Sequence, residues 1–334
     1  MKKKSIKEIE CELSKETVIY ERNILNLQPL DLIFNGGILN RSDIIQLVGE
    51  TMTYKTSLAL QISMSYCNLK KHVLYIDATG SITDVRLESY DLLNKHKEYF
   101  HFYKKSSFDD VCSLMDKFIS TNELSLVIID SIADLINKGY FNLEMNSKGK
   151  TAGIDVDNKN SNYDSKPLSS FIKKYSKLAT NIGYSMILIN QMRTKMVKKI
   201  GTVGRRYGPK ILDYSCTYIL NLSECKTNEL FDGMNTIETV SPMHIKVIKS
   251  SNHLAGKKYP VLMEVGKGIS IKYLIIHYLL TKQYIKKEGT YYQLVGANIK
   301  ENGLTNLMKK IPKEVLIKNL EPALADVIEY YKTI

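Results

Sequence analysis

The chain alternates short apolar runs with longer stretches in which apolar residues recur at helical spacing. Runs of strand length occupy 44–48, 72–76, 126–129 and 185–189, and helical patterns over 56–67, 108–119 and 168–181 stand between them. Apolar strands alternating with helices predict an α/β fold whose central, mostly parallel sheet is covered on both faces. Ligands of such sheets bind beyond the carboxyl ends of the strands. There the runs meet polar residues: Gly49, Asp77, Asp130, and the pair Asn190 and Gln191. Further strand-like segments follow Tyr214, at 216–222, 244–249 and 261–265.

The two ends read differently from this core of 31–269. Over 1–30, basic and apolar positions alternate (Ile6, Ile9, Leu13) and lead into Val18, Ile19 and Tyr20, the pattern of a short amphipathic helix and an extended arm. Residues 270–334 are rich in lysine and mostly helical, with a turn and strand at 289–292, and form a small separate domain. Two polar stretches interrupt the core, 138–166 and 192–208, and both read as long loops. Long loops inside compact domains commonly carry function.

Composition narrows the partners. With Lys+Arg 47 against Asp+Glu 35 the chain carries +12, which favours a polyanion such as nucleic acid or an anionic membrane surface; a solvated lysine coat reads the same way. No apolar run approaches the ~18 residues that cross a bilayer, and Lys2, Lys3 and Lys4 lead into charged sequence rather than an apolar signal segment. A soluble, cytoplasmic protein is expected, with no membrane role. The five cysteines are odd in number and form no C-x-x-C pair, so reduced and mostly buried thiols are expected rather than a disulfide framework or a zinc site.

The densest chemistry lies at Gly49, Glu50, Thr51, Met52, Thr53, Tyr54, Lys55, Thr56 and Ser57, between an apolar run and a helical pattern. This is the order of a P-loop, in which backbone N–H groups at a helix N-terminus wrap phosphates, a lysine reaches the β- and γ-phosphates, and a hydroxyl meets Mg²⁺. Lys55 and Thr56 fit the last two roles. Tyr54 stands where the pattern asks for its second glycine. The run 126–129 ends in Asp130, the form of a Walker B strand that delivers a metal-supporting carboxylate, although a strand-ending aspartate also caps helices. Gln191 ends another strand just before the glycine- and arginine-rich stretch, where an amide can sense the γ-phosphate. In that stretch Arg193, Lys195, Lys198, Lys199, Arg205, Arg206 and Tyr207 combine cations with an aromatic ring, a pairing suited to single-stranded nucleic acid.

In this order the P-loop, Asp77-Ala78, the strand ending Asp130-Ser131, Asn190-Gln191-Met192-Arg193, the basic stretch and the closing segments 244–249 and 264–269 resemble the RecA family of recombinases. Phage members of the UvsX type are particularly similar, since they too carry an aromatic residue before the P-loop lysine. The likeness runs from about 24 to about 325. It implies a RecA-like P-loop NTPase core that binds ATP and Mg²⁺ between neighbouring subunits. It also implies a helical filament on single-stranded DNA that pairs with homologous duplex DNA and exchanges strands, in a bacterial or phage-infected cell. Lys55 and Gln191 would be catalytic, Thr56 and Asp130 would hold the metal, and Lys249 would reach a neighbour's phosphates. The N-terminal arm would pack on the adjacent protomer, and 138–166 and 192–208 would be the DNA loops, the first with repelling carboxylates at Glu144, Asp155, Asp157 and Asp164.

Three positions depart from the family. Thr79 stands where its water-positioning carboxylate belongs, Arg86 stands near its adenine-stacking tyrosine, and Ser251 replaces a second interfacial cation. A hydroxyl is no effective base near neutral pH, and loss of a general base costs on the order of 10²–10⁴ in rate. A DNA-dependent ATPase with slow turnover is therefore expected. The alternatives are a nucleotide-gated DNA-binding or filament accessory protein without turnover, and a hexameric helicase of the same fold.

Overall fold

The computed structural model describes residues 22–39, 42–136, 165–197, 201–225 and 240–333. The predicted helix and arm before Arg22, nearly all of the 138–166 stretch, and Lys198 and Lys199 lie outside the described residues, as do the side chains of Arg193, Lys195 and Arg205.

A ribbon of β1 (Arg22–Asn23) and β2 (Ile38–Leu39) brackets α1 (Leu30–Ile33) and leads into the sheet. The sheet's parallel strands are β3 (Ile44–Gly49), β4 (His72–Asp77), β5 (Phe100–Lys104), β6 (Leu124–Asp130) and β7 (Ser185–Val197). They are followed by β8 (Gly201–Arg206), which pairs only with β7, and by the last parallel strand, β9 (Tyr218–Glu224). The parallel part runs β5-β4-β6-β7-β3-β9, so the first long strand lies between β7 and β9. Beyond β9 the sheet continues antiparallel through β10 (Val240–Lys249), β11 (Lys258–Glu264) and β12 (Gly268–Ile269). The expected α/β fold with a central, mostly parallel sheet is what the chain adopts.

Strand alternation divides the core in two. Ile45, Leu47, Tyr75, Ile128 and Ile189 pack on one face with Leu58, Leu60, Ile62 and Tyr66 of α2 (Lys55–Asn68) and with Leu87 of α3 (Asp84–Glu88). Ile44, Val48, Leu74, Ile76, Val127 and Leu188 pack on the other, against α4 (Phe108–Ile119) and α5 (Ser165–Leu178). α4 is amphipathic, burying Phe108, Val111, Met115 and Ile119 at helical spacing, whereas α2 is buried on nearly every side. α6 (Lys210–Ser215) follows the β7–β8 hairpin.

Two elements differ from the sequence reading. β5 is a sheet-edge strand of mixed aromatic, histidine and lysine character, and its half-exposed pattern hides it from a search for continuous apolar runs. The stretch 192–208, expected as a loop, is mostly a β-hairpin in which Met192 to Val197 pair in register with Arg206 to Gly201. Its glycines read as breakers, but β8 takes only Gly201 and Gly204 into the ladder, and Thr202 and Val203 carry β-branched strand chemistry.

The C-terminal part comprises α7 (Ile271–Thr281), the antiparallel sheet β13 (Ile285–Glu288), β14 (Tyr291–Leu294) and β15 (Ile299–Asn302), then α8 (Leu304–Lys310), α9 (Lys313–Lys318) and α10 (Leu320–Thr333). Its hydrophobic cluster gathers Ile275, Ile276, Leu279, Leu294, Leu307 and Met308, and only Leu262 joins it from the buried residues of the large sheet. Among the described residues, no helix is long and apolar enough to cross a membrane. Among the described residues, Cys67, Cys112, Cys216 and Cys225 form no disulfide, and burial pushes the Cys67 and Cys216 thiols up to about 12.

Candidate functional site

All six residues of β3 are buried, and the strand delivers the chain to a tight turn at the carboxyl end of the sheet. Gly49 fits there only without a side chain. A Cβ would lie 2.4 Å from Thr53 Oγ1 and 2.6 Å from the Leu222 carbonyl. The loop that follows exposes Glu50, Thr51 and Met52 and tucks in Thr53, whose hydroxyl donates to the Glu50 carbonyl at 2.8 Å. Tyr54 precedes α2 with φ +61, the left-handed conformation expected of the glycine it replaces. The first carbonyl-satisfied N–H of the helix is that of Leu58, bonded to the Tyr54 carbonyl at 2.9 Å. The N–H groups of Lys55, Thr56 and Ser57 thus open the helix with its positive dipole end toward the loop.

Lys55 folds over this loop, donating to the carbonyls of Gly49 at 3.1 Å and Glu50, and to Thr53 Oγ1 at 3.2 Å. Burial pulls its pKa below the usual lysine value, against the upward pull of Asp130 and Glu50. Thr56 Oγ1 donates to Asp130 Oδ2 at 2.6 Å, so the P-loop hydroxyl and the carboxylate ending β6 meet although β7 lies between their strands. Tyr75 donates to the same Oδ2 at 2.9 Å. Burial raises the Asp130 pKa, while these two hydroxyl bonds act in the opposite direction.

Asp77 pairs in register with Asp130, yet both of its oxygens are committed locally. Oδ1 accepts from Thr79 Oγ1 at 2.7 Å and from the Gly80 N–H at 2.9 Å, and Oδ2 accepts from the Ile82 N–H at 3.0 Å. Thr79 itself is exposed, with its hydroxyl also 2.7 Å from Ser81 Oγ. Arg86, on α3, donates to Ser57 Oγ at 3.1 Å, which fixes its guanidinium beside the P-loop helix.

Gln191 stands beside Gly49 in the β3–β7 register. Its Nε2 donates to Asp134 at 3.4 Å, and Asp134 also accepts from the Ser131 hydroxyl. One residue earlier, Asn190 donates to the Tyr207 carbonyl at 2.8 Å, pinning the base of the β7–β8 hairpin to the carboxyl end of the parallel strands. At that base Arg206 makes two bonds to Asp213, at 3.2 and 2.7 Å. At the far end of α6, Lys249 donates to the carbonyls of Asp213 and Tyr214 at 2.9 and 3.1 Å. Lys249 pairs with Ile219 near the start of β9, whereas Gly49 pairs with Leu222 further along it, so Lys249 stands toward the opposite end of the sheet. Ser251 donates to the Tyr218 hydroxyl at 3.0 Å.

Of the predicted residues, Gly49 through Ser57, Arg86, Asp130 and Gln191 gather at one end of the sheet; Arg206 and Tyr207 stand at the hairpin base, and Lys249 stands apart. Tyr75, Asp134, Asp213 and Ser241 also take part and were missed. A tyrosine inside an otherwise aliphatic strand is the one signal that could have flagged Tyr75. Among the described residues, no group of three His, Cys, Asp or Glu side chains is placed to hold a metal alone. A divalent ion here would rest on Thr56, Asp130 and phosphate oxygens, the ligand economy of Mg²⁺ sites.

The RecA N-terminal domain family matches residues 4–270. The chain is 22% identical to Protein RecA of Mycoplasma mycoides over 307 residues, covering 89% of this chain and 84% of that protein. It is 25% identical to the plasmid Protein RecA of Lactococcus lactis subsp. lactis, over 81% of this chain and 73% of the relative. With the mitochondrial DNA repair protein recA homolog 3 of Arabidopsis thaliana it shares 23% identity over 88% of its length and 66% of the relative's. A family match spanning most of the chain, on a sheet that brings Gly49, Thr56, Asp130 and Gln191 together at one end, makes this protein a member of the RecA family of recombinases.

Proposed function

We propose that the chain binds ATP with Mg²⁺ at the P-loop, assembles into a helical filament on single-stranded DNA, and promotes homologous pairing and strand exchange. The observation that carries this reading is the Thr56–Asp130 contact at 2.6 Å beneath a loop that only Gly49 can close. That contact supports the reading because a metal-nucleotide site would need this hydroxyl and this carboxylate side by side. When bound, ATP supplies the phosphate charge that the loop is shaped to hold, and its hydrolysis supplies the energy that resets the filament. Lys55 exchanges its bonds to the loop carbonyls for bonds to phosphate oxygens, and the N–H groups opening α2 add positive potential. Thr56 and Asp130 orient the metal. Gln191 reports phosphate occupancy through its strand to the hairpin, whose cations neutralise the DNA backbone while Tyr207 offers a ring for stacking. Lys249, remote from its own P-loop, would exchange its bonds to the Asp213 and Tyr214 carbonyls for a neighbouring subunit's phosphates.

A second reading, a nucleotide-gated DNA-binding protein with little turnover, is favoured by the chemistry around Thr79. Asp77, the nearest strand-end carboxylate, spends both oxygens on its own turn, and Thr79 offers only a hydroxyl. ATP turnover with and without single-stranded DNA, beside Lys55→Ala, decides between the two. DNA-stimulated turnover lost in the variant supports the recombinase ATPase; turnover no higher than the variant's supports the gated binder. A ring-forming helicase would instead appear as closed hexamers in electron micrographs.

A further inference from the structure

We infer that Tyr54 is a positioning residue that holds the phosphate loop in its binding conformation by tethering it to Ser241 on β10; this rests on the reading of the loop as a nucleotide site. Tyr54 takes the left-handed backbone conformation at φ +61, which glycine adopts freely and an L side chain adopts at a cost. Something must hold it there. Its half-buried ring packs against the hydrophobic cluster on the α2 side of the sheet, and its hydroxyl meets Ser241 Oγ at 2.7 Å across 187 residues of sequence. The ring is therefore drawn into the protein and toward the antiparallel extension. Ser241 is fixed in turn by the β10–β11 ladder, opposite Met263.

The conformation at residue 54 sets where α2 begins. It aims the N–H groups of Lys55 and Thr56 and fixes the root of the Lys55 side chain. A P-loop with glycine at this position samples many backbone states before phosphate arrives, whereas one held by a packed ring and a hydrogen bond is already arranged. The tether thus acts on phosphate affinity. It also joins the loop mechanically to β10, the strand that ends in Lys249.

Titration of a fluorescent N-methylanthraniloyl ATP with Mg²⁺ tests this, with melting temperatures measured in parallel. Tyr54→Phe and Ser241→Ala each weaken binding by roughly two- to tenfold, the range of one net neutral hydrogen bond. The double variant binds no worse than the weaker single one, because both remove the same contact. Ser241→Thr, which keeps a hydroxyl, retains wild-type affinity. Single variants with wild-type affinity, losses that multiply in the double variant, or a fall in melting temperature with no change in affinity would overturn the tether. Wild-type protein that binds no better than Lys55→Ala would instead overturn the nucleotide reading itself.

Discussion

Asp130 concentrates the chemistry of this protein in one side chain. It is buried, it receives the hydroxyls of Thr56 and Tyr75, and burial raises its pKa above the usual carboxylate range. For a carboxylate shifted in that direction, the favourable linkage to folding is complete below the unfolded pKa and is lost as pH rises through the folded one. Above the raised pKa the ionised group therefore costs the nucleotide-free fold stability. Asp130→Asn should melt higher than wild type at pH 7, by on the order of 2 °C. The gain should fade as pH falls through the raised value, while Mg²⁺-dependent nucleotide binding drops at least tenfold; calorimetry and titration read the two effects. Thr79 gives a second test at this scale. Installing a base by Thr79→Glu should raise DNA-stimulated turnover by about 10²-fold if the rest of the site is competent, and unchanged turnover would place the defect elsewhere. Lys55, Thr56 and Asp130 were legible because each belongs to a local pattern of residue types. Tyr75, Asp134, Asp213 and Ser241 were not, because each works through a side-chain contact that only the fold creates; Tyr54 and Ser241 are 187 positions apart.

At the scale of elements, the long parallel strands were readable because strands buried on both faces are continuous apolar runs. β5 escaped because an edge strand exposes His101, Tyr103 and Lys104 in part and so loses that signature. The β7–β8 hairpin escaped because its composition is that of a loop and its order comes from cross-strand pairing. Central strands should be the costliest to damage. Ile128→Ala, in the middle of β6, should cost roughly 2–5 kcal/mol in urea unfolding. The hairpin base carries a different expectation. Arg206 is held by Asp213 in a half-exposed pair, so its charge is partly withheld from any phosphate. In Asp213→Asn, nucleotide-free affinity for single-stranded DNA should rise, and the slope of log K against log salt should steepen by about 0.7, the share of one added phosphate contact. Anisotropy titrations across a salt series check this, and an unchanged slope would show that Arg206 does not reach the DNA.

At the scale of the molecule, one end of the sheet carries the P-loop, Asp130 and Gln191. The hairpin rises from the same end through Asn190 and Tyr207, and Lys249 sits toward the other. A phosphate at Lys55 and a DNA strand at the hairpin would therefore bias the same strand, β7. That is the physical basis for coupling the two ligands. The hydrophobic cluster of the C-terminal helices and small sheet meets the core's buried residues at Leu262. If nucleotide gates DNA binding, the anisotropy of a labelled single-stranded oligonucleotide, titrated with protein in the presence and absence of Mg²⁺-ATP and repeated with Lys55→Ala, will show it. Wild-type protein should bind at least tenfold tighter with ATP, with no such gain in the variant; equal affinity with and without ATP in the wild type would rule gating out.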